Sequence, residues 1–110
     1  GQSAFQNCSS LVSVEIQEGM TVLSLGCFSN CPLLSTVRLP NSINKICELV
    51  FYDCPVLRDL YLKANMPPEI HPHDVFGGNT GMNIWVPRAS VDAYKEKWAK
   101  FKDNIKAYDF

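Results

Sequence analysis

One phrase recurs in this chain at a fixed offset of 23 residues. Phe5, Cys8, Leu11, Val14 and Ile16 return as Phe28, Cys31, Leu34, Val37 and Leu39, then again as Phe51, Cys54, Leu57, Leu60 and Leu62. Self-similarity at a period of roughly 20 to 50 residues is the mark of a stacked repeat, in which no unit buries its apolar side alone and neighbours supply the cover. The constraint is severe. It predicts a solenoid, mainly β with short helical turns, in which residues one period apart lie over each other and point the same way.

Each unit reads as two short strands joined by turns. In Val12-Ser13-Val14-Glu15-Ile16-Gln17 apolar and polar residues alternate with period two, as they do in Thr36-Val37-Arg38-Leu39 and Asp59-Leu60-Tyr61-Leu62-Lys63. Glu18-Gly19 and Pro40-Asn41-Ser42 close the first two strands with turn-forming residues. Met20, Val22, Leu23 and Leu25 then supply a second apolar stretch, matched by Ile43 and Ile46. Asn7, Asn30 and Asp53 precede the repeated cysteine, where a side-chain oxygen can bond nearby backbone groups. The expected units are 4–26, 27–49 and 50–74, with a cap over 75–110.

The third unit departs from the pattern. Pro67, Pro68 and Pro72 fall where its second strand belongs, removing backbone donors and forcing an extended path. Phe76 arrives 25 residues after Phe51, and no cysteine follows it. Asn83-Ile-Trp-Val-Pro87 reads as a last strand. Ser90 is a plausible N-cap with Asp92 in the first turn, and Val91, Tyr94, Trp98 and Phe101 share one helical face. That helix, with Ile105 and Tyr108 beyond it, is expected to lie over the final coil as a lid. The amino end shows no counterpart, so the chain reads as a piece of a longer protein whose first edge is open to self-association.

Bulk properties exclude several classes. A net charge of −1 gives no footprint for nucleic acid, and no run of apolar residues is long enough to span a membrane. Five cysteines cannot close a disulfide framework. Cys8, Cys31 and Cys54 read as a ladder of small buried hydrophobes; Cys27 and Cys47 fall elsewhere, and whether they pair is left open. His71, His73 and Asp74 are the sharpest metal candidate, but they supply too few ligands for a structural zinc site and read as a proline-stiffened loop. Asn7-Cys8-Ser9 matches the glycosylation pattern only formally, since its middle residue belongs to the ladder. Lys95, Lys97, Lys100, Lys102 and Lys106 interleave with Asp92, Glu96, Asp103 and Asp109, as on a solvated face. No catalytic, metal or cofactor-binding set emerges, and the chain is not expected to be an enzyme.

The phrases Ala4-Phe5-x-x-Cys8-x-x-Leu11, Cys27-Phe28-x-x-Cys31-x-x-Leu34 and Val37-Arg38-Leu39-Pro40-Asn41-Ser42-Ile43-x-x-Ile46 resemble the BspA-like leucine-rich repeat, the class with a 23-residue period. Lys63-Ala64-Asn65-x-Pro67-Pro68, Ile84-Trp85-Val86-Pro87 and Ser90-Val91-x-Ala93-Tyr94 through Trp98 are similar to the carboxyl-terminal segment of such proteins. The resemblance implies a leucine-rich repeat solenoid in a secreted or cell-surface protein of host-associated bacteria. Some members are similar to adhesins that bind host extracellular proteins, so a protein is the implied partner. The alternative is a structural spacer or cap with no ligand of its own.

A binding surface follows from the alternation. If Val14 and Ile16 point inward, then Ser13, Glu15 and Gln17 point outward with their counterparts. Stacking then gives the rows Ser13, Thr36, Asp59; Glu15, Arg38, Tyr61; and Gln17, Pro40, Lys63. Repeat proteins use such continuous faces for partners. Glu15 beside Arg38 is an expected cross-strand pair, worth about 0.2 to 1 kcal/mol. Tyr61 is the first residue to test, since aromatic side chains dominate binding hot spots.

Overall fold

A computed structural model describes residues 7–70, 75–77, 79 and 81–110. Strands β1 (Ser13–Glu15), β3 (Thr36–Leu39), β5 (Asp59–Leu62), β6 (Asn83–Pro87) and β7 (Ile105–Tyr108) form one sheet in that order, each pair parallel. A second, two-stranded parallel sheet pairs β2 (Val22–Leu23) with β4 (Lys45–Ile46). The single α-helix among the described residues, α1 (Val91–Lys97), is flanked by 3₁₀ turns at Arg88–Ser90 and Ala99–Asn104.

The 23-residue offset sets the register. Ser13 pairs with Thr36 and Thr36 with Asp59; Val14 with Val37 and Val37 with Leu60; Glu15 with Arg38 and Arg38 with Tyr61. Side chains alternate across a strand, so one row faces inward and its neighbours outward. Val37, Leu39, Leu60, Leu62, Ile84, Val86 and Ile105 are buried accordingly. The turns are stitched along the same direction: the amides of Asn7, Phe28 and Asn30 donate to the carbonyls of Ser29, Val50 and Tyr52. Backbone polar groups in the loops thus find partners on the next coil, which lets loops sit against a core without orphaned donors.

A column of phenylalanines runs through the interior. Phe28 and Phe51 stack at 5.8 Å and 6°, and Phe51 and Phe76 at 5.7 Å and 11°. Phe101 closes the column edge-on against Phe76 at 5.0 Å. Phe5 lies outside the described residues. Beside this column run the cysteines, with Cys31 and Cys54 buried and Cys8 half-buried. The Cys54 thiol donates to the Phe28 carbonyl at 3.1 Å.

The structure sharpens some expectations and corrects others. Asn7, Asn30 and Asp53 are selected by conformation: their φ angles are 62°, 59° and 61°, in the left-handed region that Asn and Asp tolerate best after glycine. Met20, Val22 and Leu25 are exposed, and only Leu23 of that apolar stretch enters the core. Ser90 sits at the N-cap of α1, but its hydroxyl makes no capping bond and donates instead to the Asn65 carbonyl at 2.8 Å. The lid ends as a strand: Ile105–Tyr108 is β7, extending the main sheet, because the chain leaves its helical turns at Ile105 with φ −84° and ψ 127°. Cys27 and Cys47 are both free thiols.

The proline segment and α1 solve one problem together. β4 gains only an isolated bridge between Lys45 and Glu69, since prolines at 67 and 68 cannot donate to a ladder. The carbonyls left along this segment are taken by side chains of the helical region. Ser90 caps Asn65, the Tyr94 hydroxyl donates to Ala64 at 2.7 Å, and the Trp98 indole donates to Pro68 at 2.9 Å. Tyr94 and Trp98 thereby bury large rings with their polar atoms satisfied. Among the described residues no buried side-chain nitrogen or oxygen lacks a hydrogen-bond partner, and no helix is long and apolar enough to cross a membrane.

Candidate functional site

The outward rows of the main sheet gather the residues that the alternation assigns to a surface. Ser13 and Glu15 are exposed, Thr36, Arg38, Asp59 and Tyr61 are half-buried, and Lys63 is exposed just past β5. Glu15 and Arg38 are in register, yet no ion pair joins them among the described residues. The Arg38 guanidinium carbon stands 4.1 Å from the centroid of the Tyr61 ring. A guanidinium over an aromatic face gains a cation–π contact and buries its stem on apolar surface, whereas an ion pair with a solvated Glu gains little. Glu15, Glu18, Arg38 and Lys63 also line a shallow depression of about 80 Å³.

β6 and β7 carry the surface further than the sequence rows reached. Trp85 follows Tyr61 in register and stacks on it at 6.2 Å and 18°. Tyr108 meets Tyr61 edge-on at 5.1 Å and Trp85 at 6.1 Å, and Phe110 lies 4.7 Å from Tyr108 and 6.4 Å from Tyr61. Asp59 organises this platform from the neighbouring row. One of its carboxylate oxygens accepts from the Trp85 indole at 3.0 Å and from the Asn83 amide at 3.2 Å, which fixes the orientation of both. Arg88 holds Asp109 through two hydrogen bonds of 3.0 and 3.2 Å. The hydrogen bond and charge of Arg88 keep the Asp109 carboxyl below its ordinary value, and Asp109 raises Arg88 in return.

The structure therefore brings Arg38 and Tyr61 together with Asp59 and extends them with Trp85, Tyr108 and Phe110. Ser13 and Thr36 continue the row of Asp59, in register with it on β1 and β3. Trp85 was within reach of sequence reasoning, because Asn83-Ile-Trp-Val-Pro87 alternates as Asp59-Leu-Tyr-Leu-Lys63 does. Tyr108 was assigned to the lid beyond its helix, but nothing in the sequence marked Ile105–Tyr108 as a strand of the main sheet.

Three of the thiols sit where burial works against reactivity. Burial pushes Cys27 and Cys54 up to about 11 and raises Cys31. A nucleophilic cysteine needs the opposite environment, one that stabilises the thiolate. Among the described residues no group of three His, Cys, Asp or Glu gathers to hold a metal ion; His71, His73 and Asp74 lie outside them. What the site offers is a half-exposed aromatic surface with cations at its margin, a composition suited to recognition.

The family model of the BspA type leucine rich repeat region (6 copies) matches residues 1–78. No curated protein matches the chain. The matched stretch holds every Phe-x-x-Cys phrase and stops just beyond Phe76, so β6, α1 and β7 lie past it. With more than half of its length under that match, the chain belongs to the BspA type leucine rich repeat family.

Proposed function

We propose that the chain is a non-enzymatic protein-interaction module of a secreted or cell-surface bacterial protein, that its task is adhesion to host proteins, and that the outer face of the main sheet makes the contact. The family is one of repeat modules used in protein interaction and typical of surface or secreted bacterial proteins, which supports the coarser part of this reading. In the same reading the chain is a solenoid with units 4–26, 27–49 and 50–74 closed by a cap over 75–110. Self-association belongs to it as well: Val12, Met20, Val22 and Leu25 are all exposed on the first coil, where β1 has no neighbour on its outer side among the described residues.

The observation that carries the assignment to this face is the run of Arg38, Tyr61, Trp85 and Tyr108 across four adjacent strands. Aromatic and arginine side chains in such a cluster lose little conformational freedom on binding and offer large contact areas. The test uses the full protein against immobilised extracellular-matrix proteins. Tyr61→Ala and Arg38→Glu are each expected to weaken binding by about tenfold or more, the loss typical of hot-spot truncation. Binding unchanged in both variants removes this face from the reading, and no binding to any matrix protein favours the structural spacer.

A further inference from the structure

The aromatic platform already holds a ligand of a kind, supplied by the chain itself. Asp109 and Phe110 turn back across the outer face. The Asp109 carboxylate is gripped by Arg88, and the Phe110 ring packs on Tyr108 and reaches Tyr61. This grip is loose. Phe110 remains 47% exposed, and the Arg88 and Asp109 side chains are 67% and 77% exposed, so solvent screens the pair. Around the platform, Arg38, Lys63 and Lys106 have no carboxylate partner among the described residues, while Asp59, the carboxylate in the bordering row, is already engaged by Asn83 and Trp85.

We propose that the seat of Asp109–Phe110 is the recognition site for a protein partner, that the partner presents the same pair of groups, an aromatic side chain next to a carboxylate, and that the chain's own residues compete with it. The proposal rests on the reading of the outer face and names the chemistry of its partner. An acidic neighbour finds Arg88 or one of the unpaired cations, and the aromatic ring takes the place of Phe110 against Tyr61 and Tyr108. Competition follows from the geometry, because one ring position serves both. The apparent affinity for the partner is then lowered by the fraction of molecules in which Phe110 is seated.

Calorimetric titration of the full chain with a short acetylated peptide carrying an Asp-Phe pair tests this directly. Phe110 lies at the margin, so Phe110→Ala is expected to keep its circular dichroism and thermal transition and to bind the peptide about fivefold or more tightly than the wild type. Peptides with Asp replaced by Lys, or Phe by Ala, are expected to lose about tenfold or more, consistent with removal of an anchoring group. Equal binding by wild type and Phe110→Ala, or by the Lys-containing peptide, overturns the proposal, as does heparin binding more tightly than the peptide. The face and its ligand chemistry separate cleanly. If Tyr61→Ala abolishes matrix-protein binding while the peptide series is flat, the partner class is wrong and the outer face stands. If Tyr61→Ala leaves both unchanged, the face itself falls.

Discussion

The stretch up to Leu62 and the stretch from Val75 onward build the same interior from different materials. In the first, phenylalanines recur every 23 residues and cysteines close the bend behind them. In the second, the spacing is 25: Phe76 follows Phe51 by that distance, Phe101 follows Phe76, and Asn79 and Asn104 stand where a cysteine would. Asn79 donates to the carbonyls of Cys54 and Leu57 at 3.2 and 3.1 Å, and Asn104 donates to Met82 at 2.8 Å. A thiol satisfies one carbonyl weakly and packs as a hydrophobe; a carboxamide satisfies two strongly and tolerates water. The column survives a change of period and of chemistry because what must recur is the place of the ring and a donor for the bend.

The largest effect that bears on this comparison is the loss of a ring. Phe51→Ala, in the centre of the column, is expected to cost about 3 to 5 kcal/mol in denaturant unfolding, since rings on both sides lose a stacked neighbour and leave a cavity. Phe101→Ala, packed edge-on from one side, is expected to cost visibly less; equal losses would make the two stretches energetically alike. Next comes Asn79→Ala, which strands two carbonyls and is expected to cost about 1 to 3 kcal/mol. If its melt overlays that of the wild type, the carboxamide is not the counterpart of the cysteine.

The two materials also differ in their response to alkali. Cys27 and Cys54 rise on folding from the ordinary 9.0 to about 11, so the fold favours their neutral form. Their contribution is complete below about pH 9 and is lost as pH climbs toward about 11, where the unfolded chain ionises and the folded one resists. Chemical unfolding across that window is expected to show a shallower decline for Cys54→Ala than for the wild type, whereas Asn79→Ala, which removes no titrating group, leaves the slope unchanged. The smallest effect concerns the backbone. Leu49 has φ 62° at the position that Gly26 holds one period earlier with φ 64°. Relief of left-handed strain of about 1 to 2 kcal/mol offsets the entropy of a glycine and the lost side chain, so Leu49→Gly is expected to shift stability by under about 1 kcal/mol. A larger loss would mean that the half-buried Leu49 side chain contributes more than its strain costs.

The register of β1, β3 and β5 was legible because a 23-residue repeat with alternating polarity leaves one way to align three strands. Arg38 and Tyr61 therefore fell into one row before any coordinates. The partner chosen for Arg38 did not, since periodicity places residues side by side without deciding between a carboxylate and a ring. β7 was hidden for a different reason. Val91, Tyr94, Trp98 and Phe101 keep a helical spacing through Phe101, although the helix stops at Lys97 and a 3₁₀ turn brings Phe101 into the aromatic column. A ring that serves two patterns at once gives no sign of which one governs. The strand after it stayed out of sight, and with it the place of Tyr108 and Phe110 on the outer face.

The hydrogen bonds that join β1, β3, β5, β6 and β7 all run from strand to neighbouring strand, as do those of the bends at Asn7, Phe28, Asn30 and Phe51. Tension applied along that direction loads the contacts between one coil and the next in series rather than sharing them in parallel. A tether fixed at one end and pulled at the other should therefore peel the molecule stepwise, each coil giving way at modest force and dissipating work separately. Such a sequence of small ruptures makes a shock absorber.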